Sequence, residues 1–272
     1  MNINLNTMPK LGMGTFRLED EVAYNSVKMA LEVGYKHIDT AQIYGNEAQV
    51  GQAISDSGIH RADIFITTKV WNANLNKASF IDSVKESLSK LQTNYVDLLL
   101  IHWPSPENNE PMEEYLGELV KAKELGLAKN IGVSNFSIDL LKQAMAILPN
   151  CEIFTNQVEV HPYLTNESLR EFCSENNIHV TGYMPFAVGK VLKDETIIEI
   201  ANSHNKAPSE VVIAWALANG LTTIPSSTKR SNLITNLAGP DLTLSAKEIT
   251  AIDQLNKNDR QASPDFSPLW DN

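Results

Sequence analysis

Eight short apolar runs punctuate the chain, beginning at Leu11, His37, Phe65, Val96, Asn130, Phe154, His179 and Thr222. Nearly every one is followed by a stretch in which apolar residues recur at helical period. The runs are almost continuous in Val, Ile and Leu, as in Val96-Asp97-Leu98-Leu99-Leu100-Ile101, with no alternating polar face. They therefore read as parallel strands covered on both sides. The intervening stretches carry clear stripes: Phe80, Ile81, Val84, Leu88 and Leu91 in one, Met112, Tyr115, Leu116, Leu119 and Val120 in the next. Gly126 stands where a left-handed residue would end that second helix, and Gly34, Gly58 and Gly220 close others in the same way. Ser137 can cap a helix carrying Ile138, Leu141, Ala144, Met145 and Leu148, with Pro149 to stop it.

Strict alternation in units of roughly 30 residues predicts an α/β fold of the (β/α)8 type, the TIM barrel. A doubly wound sheet would alternate too, but it needs a Gly-x-Gly-x-x-Gly turn opening a helix. The nearest candidate here, Gly12-Met13-Gly14, runs on into Thr15-Phe16-Arg17 and leads to no immediate helix. The longest gap, between the seventh and eighth strands, holds two helical stretches, over residues 196–204 and 209–219. No Gly/Ser-rich or Pro-rich linker divides the chain, so residues 1–272 are expected to form one barrel domain.

Composition narrows the functions. With 43% hydrophobic residues the chain can fill a sizeable core, and a formal net charge of −11 argues against an extended nucleic-acid or anionic-membrane surface. The two cysteines, Cys151 and Cys173, form no CxxC motif and there is no His-rich tract, which points to free buried thiols and no metal site. Residues 1–10 lack the basic and apolar regions of a secretion signal, and no window approaches a membrane span. The expectation is a cytoplasmic monomer acting on a small molecule, with no nucleic-acid or membrane partner.

In a barrel of this kind the reactive residues lie at the C-terminal ends of the strands. The polar residues there are Asp39, Lys69, His102, Ser134 and Asn135, Gln157, Tyr183, and Ser226 and Ser227, with Tyr44 five residues beyond Asp39. Singly, each has an ordinary structural explanation. Together, Asp39, Tyr44, Lys69 and His102 would converge on one barrel mouth, where a buried Asp39 and Lys69 would neutralise one another.

These residues carry a resemblance. The motifs are Gly12-x-Gly14-Thr15, His37-Ile38-Asp39-Thr40-Ala41-x-x-Tyr44-Gly45-Asn46-Glu47, Thr68-Lys69-Val70-Trp71, Asp97-x-x-x-Ile101-His102-Trp103-Pro104, Ile131-Gly132-Val133-Ser134-Asn135-Phe136, Asn156-Gln157 and Ile224-Pro225-x-Ser227. In this order, across nearly the whole chain, they resemble the aldo-keto reductase family. Residues 41–44, 224–230 and 258–260 are most similar to its bacterial 2,5-diketo-D-gluconate reductase branch, the B type above all.

The resemblance implies NADPH-dependent reduction of small aldehydes and ketones to alcohols, first of all 2,5-diketo-D-gluconate (to 2-keto-L-gulonate), and methylglyoxal-like dicarbonyls. Tyr44 would be the proton donor, supported by Asp39, Lys69 and a neutral His102. It implies cofactor contacts from Gly14, Thr15, Asp39, Ser134, Asn135 and Gln157, with Tyr183 stacked on the nicotinamide. The pyrophosphate would lie along Pro185, Phe186, Gly189, Lys190, Pro225, Ser226 and Ser227. The family more often places Lys after the Ile-Pro pair and Arg six positions later, where this chain has Ser226 and Asn232. Lys229 and Arg230, with Thr228 and Asn236 nearby, would then receive the adenosine phosphate. Phe16, Trp71 and Trp103 would join Tyr44 and His102 around the substrate, and Trp270 could fold over the opening. The tail after Arg260 is short, which suits small polar substrates. Two other readings remain open at this point: a Schiff-base aldolase using Lys69, and a nucleotide-sensing subunit with little turnover.

Overall fold

In a computed structural model of the chain, residues 8–148 and 153–271 are described. Pro149 and Cys151 lie outside the described residues. The eight runs become eight strands: β1 (Met13–Gly14), β2 (His37–Asp39), β3 (Phe65–Val70), β4 (Val96–Ile101), β5 (Ala128–Ser134), β6 (Thr155–Glu159), β7 (His179–Tyr183) and β8 (Thr222–Thr223). They pair in chain order and in parallel. The last strand then meets the first: Gly12 N–H donates to the Thr223 carbonyl at 2.9 Å, Thr223 N–H to Lys10 at 2.9 Å, and Gly14 N–H to Pro225 at 3.1 Å. The sheet is thereby closed into the expected (β/α)8 barrel.

Gly12 and Gly14 are small because of this closure. A Cβ on Gly14 would lie 2.8 Å from the Ile224 carbonyl oxygen, and one on Gly12 would lie 2.6 Å from the His37 ring. The Gly12-Met13-Gly14 element thus serves a close strand approach.

Among the described residues ten α-helices connect and cover the strands: α1 (Asp20–Val33), α2 (Glu47–Asp56), α3 (Phe80–Lys90), α4 (Met112–Glu124), α5 (Ile138–Ile147), α6 (Glu167–Glu175), α7 (Glu195–Ser203), α8 (Pro208–Ala218), α9 (Arg230–Leu237) and α10 (Ala246–Asp253). The two helices expected before β8 are α7 and α8. Among the described residues no helix is long and apolar enough to cross a membrane, and no cluster of His, Cys, Asp and Glu is arranged to hold a metal ion. Cys173 is free and buried. Ser137 sits at the α5 N-cap without a side-chain bond, contrary to expectation. Its place is taken from far away: the Asp271 carboxylate accepts the Ile138 N–H at 3.0 Å, where a negative charge meets the unpaired amides of a helix start.

The apolar look of the strands concealed a polar barrel interior. The period of two places Phe65, Thr67 and Lys69 on one face of β3, and their neighbours Ile66 and Val70 in the core shared with the helices. The inner face opens with an apolar group of Met8, Phe65, Leu98, Leu100 and Phe154. Beside this group, with His37 edge-on to Phe65 at 5.0 Å, His37 meets Thr67 at 3.1 Å, Thr155 meets Thr181 at 3.0 Å and His179 meets Thr222 at 2.9 Å.

Burial leaves three imidazoles neutral: these two and His102 beyond the end of β4. Desolvation is the main cause in each: it lowers the pKa of His37, lowers that of His102 well below 6.5, and brings that of His179 to about 4. The unfolded chain takes up protons below about pH 6.5 that the folded one refuses, so stability is present above that pH and is lost as the pH falls. For His179 the loss runs from about 6.5 down to about 4. Urea unfolding should show lower stability at about pH 5 than at about pH 7, with about 1 kcal/mol per pH unit coming from His179, and His179→Gln should remove that share. Equal midpoints at the two pH values would contradict neutral burial.

Candidate active site

Strand ends and the turn after β2 bring the four central side chains together. β2 delivers Asp39, β3 delivers Lys69, and His102 follows β4. Tyr44 ends a short 3-10 turn, Gln42–Tyr44, closed by Gly45 at φ 69°. Lys69 is fully buried; its Nζ donates to Asp39 Oδ1 at 2.6 Å, to the Thr40 carbonyl at 2.8 Å and to Tyr44 Oη at 3.4 Å. Burial works to discharge the ammonium, but the Asp39 carboxylate and Tyr44 outweigh it, and its pKa is raised. A charged lysine is no carbonyl nucleophile, which removes the physical basis of the aldolase reading.

Tyr44 is held in its protonated form. Burial is the largest influence and pushes its pKa above 10, while the Lys69 charge pulls it back. His102 lies edge-on to Tyr44 with ring centroids 5.5 Å apart. Besides burial, the Lys69 charge keeps it from protonating, so the ring facing the cleft is neutral.

The next group forms one hydrogen-bonded chain across β5, β6 and β7. Gln157 Nε2 donates to Asp39 Oδ2 at 2.7 Å, and Ser134 Oγ donates to the Gln157 carbonyl at 2.7 Å. Asn135 Nδ2 donates to Ser134 Oγ and to the His102 carbonyl, while its Oδ1 accepts the Tyr183 hydroxyl at 2.8 Å. The Tyr183 ring is therefore fixed by its own hydroxyl.

These residues border a cleft of about 700 Å³. Twelve of the expected cofactor contacts line it: Gly14, Thr15, Asp39, Ser134, Asn135, Gln157, Tyr183, Pro185, Phe186, Gly189, Pro225 and Ser226. Ser227, Thr228, Lys229, Arg230, Lys190 and Asn236 do not. Lys190 pairs with Asp259 at 3.2 Å, and Arg230 with Glu32 at 2.6 Å in a half-exposed pair. Asn236 is buried on α9 with its side chain against the Tyr35 phenol.

Of the expected substrate residues, Phe16, Tyr44, Trp71, His102 and Trp103 line the cleft, but Trp270 does not. It packs behind Trp103 at 6.0 Å, under the Arg260 guanidinium at 3.7 Å, because that stacking buries its face. The tail contributes through other residues. Gln261, Ala262, Ser263 and Pro264 line the cleft, and Phe266 meets the edges of Trp71 and Trp103 at 5.8 and 5.5 Å. The sequence expectations did not include these; an aromatic, Phe266, between Pro264 and Pro268 was the available signal. Ile43 and Val188 were missed as well. Val188 holds φ 55°, a left-handed conformation that costs a β-branched residue about 1–3 kcal/mol. Asn46 and Glu47, quoted only as part of a motif, are buried struts. Asn46 ties the Thr15 and Leu18 carbonyls to Thr40, and Glu47 accepts the Thr68 hydroxyl at 2.6 Å.

Barrel, strand-end cluster and cleft together have the arrangement of an enzyme's active site at the C-terminal ends of barrel strands. Sequence comparison gives the class: residues 10–257 match the aldo/keto reductase family, and the chain belongs to it. Among its relatives is the methylglyoxal reductase DkgB of Salmonella typhi, 51% identical over 266 residues, covering 97% of this chain and all of that one. The glyoxal reductase of Bacillus subtilis is 40% identical, covering 93% and 91%. Among solved structures, a provisionally assigned 2,5-diketo-D-gluconic acid reductase B superposes with a TM-score of 0.95 at 38% identity, covering 99% of this chain and 96% of that one. A Bombyx mori aldo-keto reductase in complex with NADP gives 0.90 at 32% identity, with 98% of each chain covered.

Proposed function

We propose that this aldo-keto reductase converts small aldehydes and ketones to alcohols with NADPH, methylglyoxal-like dicarbonyls foremost and 2,5-diketo-D-gluconate (to 2-keto-L-gulonate) beside them. The observation that carries the reading is the chain Asp39–Lys69–Tyr44, with Nζ 2.6 Å from the carboxylate and 3.4 Å from the phenol, beside a neutral His102. The 51% identity to a methylglyoxal reductase and the NADP of the silkworm relative support substrate and cofactor.

The residues present fit a dinucleotide. Gln157 uses one N–H on Asp39 and keeps its carbonyl oxygen and second N–H for a ligand carboxamide, beside Ser134 and Asn135. Tyr183 offers a planar face beside them, and residues 184–186, 188 and 189 with 225 and 226 continue the cleft. The reduced nicotinamide, when bound, supplies the hydride. Tyr44 gives its proton to the carbonyl oxygen, and Lys69 stabilises the phenolate left behind. Asp39 holds Lys69 charged and in place. His102 donates a hydrogen bond to the same oxygen and orients it. Phe16, Trp71 and Trp103 wall the substrate.

Lys229 and Arg230 receive the adenosine phosphate in this reading, beside Ser227 and Thr228. The Arg230–Glu32 pair is about half exposed, so it yields easily to a doubly charged ligand. Lys229→Ala with Arg230→Ala should raise the NADPH dissociation constant at least about tenfold, about 1.4 kcal/mol, and leave that of NADH nearly unchanged. Equal losses for both cofactors would refute the assignment.

A panel of carbonyls assayed with NADPH and NADH in parallel tests the whole reading. Turnover of methylglyoxal with NADPH well above that with NADH is expected; no consumption of either with any carbonyl would end it. The same proposal takes residues 1–272 as one working unit, a cytoplasmic monomer, which sedimentation of the pure protein and cell fractionation would check.

A further inference from the structure

One fully buried carboxylate has no part in the chemistry above. Glu159 ends β6 in register with Tyr183 and has no exposed surface. Its Oε1 accepts the Gln261 N–H at 2.7 Å and lies 2.7 Å from His161 Nε2, and its Oε2 accepts the Ala262 N–H at 2.7 Å. The Asn166 side chain donates to the Glu159 carbonyl at 2.7 Å, so the strand end is itself held. Two consecutive backbone amides from 102 and 103 residues away thus share one carboxylate. Charge-assisted bonds of this kind are short and strong.

The segment so gripped has no helix or strand after residue 260. An irregular backbone without such partners would move freely over the surface. Instead residues 261–264 border the carbonyl cleft, Phe266 closes on Trp71 and Trp103, and Asp271 anchors the far end on α5.

We propose that Glu159 is a positioning residue for substrate selection: it latches the backbone of residues 261 and 262 so that the C-terminal segment stands as a fixed wall of the carbonyl cleft. The proposal rests on the reading that a carbonyl substrate occupies this cleft. Glu159→Gln is nearly isosteric, but its amide nitrogen cannot accept, so one backbone N–H loses its partner and the wall loosens.

Two measurements test the latch. In steady-state kinetics with methylglyoxal, Glu159→Gln should raise KM at least about tenfold, with kcat and the NADPH dissociation constant within about threefold of wild type. An unchanged KM in the folded variant, or kcat and NADPH binding falling along with it, would overturn the proposal. Hydrogen exchange on the wild-type protein speaks even if the variant does not fold. The Gln261 and Ala262 amides, outside any helix or strand, should exchange as slowly as strand amides, and fast exchange at both would overturn the latch. A wild type that turns over no carbonyl would remove the functional reading instead, and slow exchange would then still separate the two.

Discussion

Exchanging Lys69 for methionine should lower folding stability by about 3–5 kcal/mol and abolish carbonyl turnover. Lys69→Met combined with Asp39→Asn should regain most of the stability and none of the turnover. Both side chains are sealed from solvent, at 0% and 1% exposure. The single exchange strands a carboxylate whose Oδ1 loses Lys69 and whose Oδ2 keeps the amide of Gln157. An unpaired buried charge costs far more than the pair contributes, whereas replacing both charges leaves only neutral groups to accommodate. Urea unfolding of the two variants beside wild type reads the stability, and NADPH oxidation with methylglyoxal reads the turnover. A single variant as stable as wild type would mean that Lys69 and Asp39 are not coupled as described.

Tyr44→Phe is the second large effect. It removes one oxygen and leaves the ring, which packs against Phe16 at 5.2 Å and His102 at 5.5 Å, so the fold should persist. The proton source is gone, and kcat should fall by about 100- to 10,000-fold, the range general-acid help supplies. NADPH binding should stay close to wild type, because the nicotinamide contacts assigned to Ser134, Asn135, Gln157 and Tyr183 are untouched. A companion exchange, His102→Gln, keeps a neutral donor and should retain more activity than His102→Ala. Loss of NADPH affinity in Tyr44→Phe, in place of loss of turnover, would move Tyr44 from chemistry to cofactor binding.

The barrel was legible because period governs it. Buried strands and striped helices alternate all along the chain, and even the paired helices α7 and α8 stood out in the longest gap. The convergence of Asp39, Lys69 and His102 was legible for the same reason, since each is the polar residue ending an apolar run. What escaped has little local pattern. Glu159 carries no motif of its own, and its backbone partners lie 102 and 103 residues away in a segment with no period. Asp271 replaced the expected Ser137 cap by a contact across 133 residues, which no capping rule can anticipate. Trp270 was expected to fold over the opening from its place near the C-terminus, beside the aromatic walls the resemblance implies. Stacking under Arg260 drew it behind Trp103, and Phe266 stands nearer the cleft. The polar barrel interior escaped too, because Thr67, Thr155 and Thr181 are β-branched and read as strand formers whichever way they point.

The central claim is that this barrel mouth reduces a carbonyl with hydride from NADPH. The direct measurement incubates the wild-type protein with methylglyoxal and NADPH and counts cofactor oxidised against alcohol formed. The expected result is one NADPH oxidised for each alcohol produced, with no adduct on Lys69 trapped by borohydride when NADPH is left out. A covalent Lys69 adduct without cofactor, or NADPH left unoxidised while methylglyoxal is consumed, would contradict it.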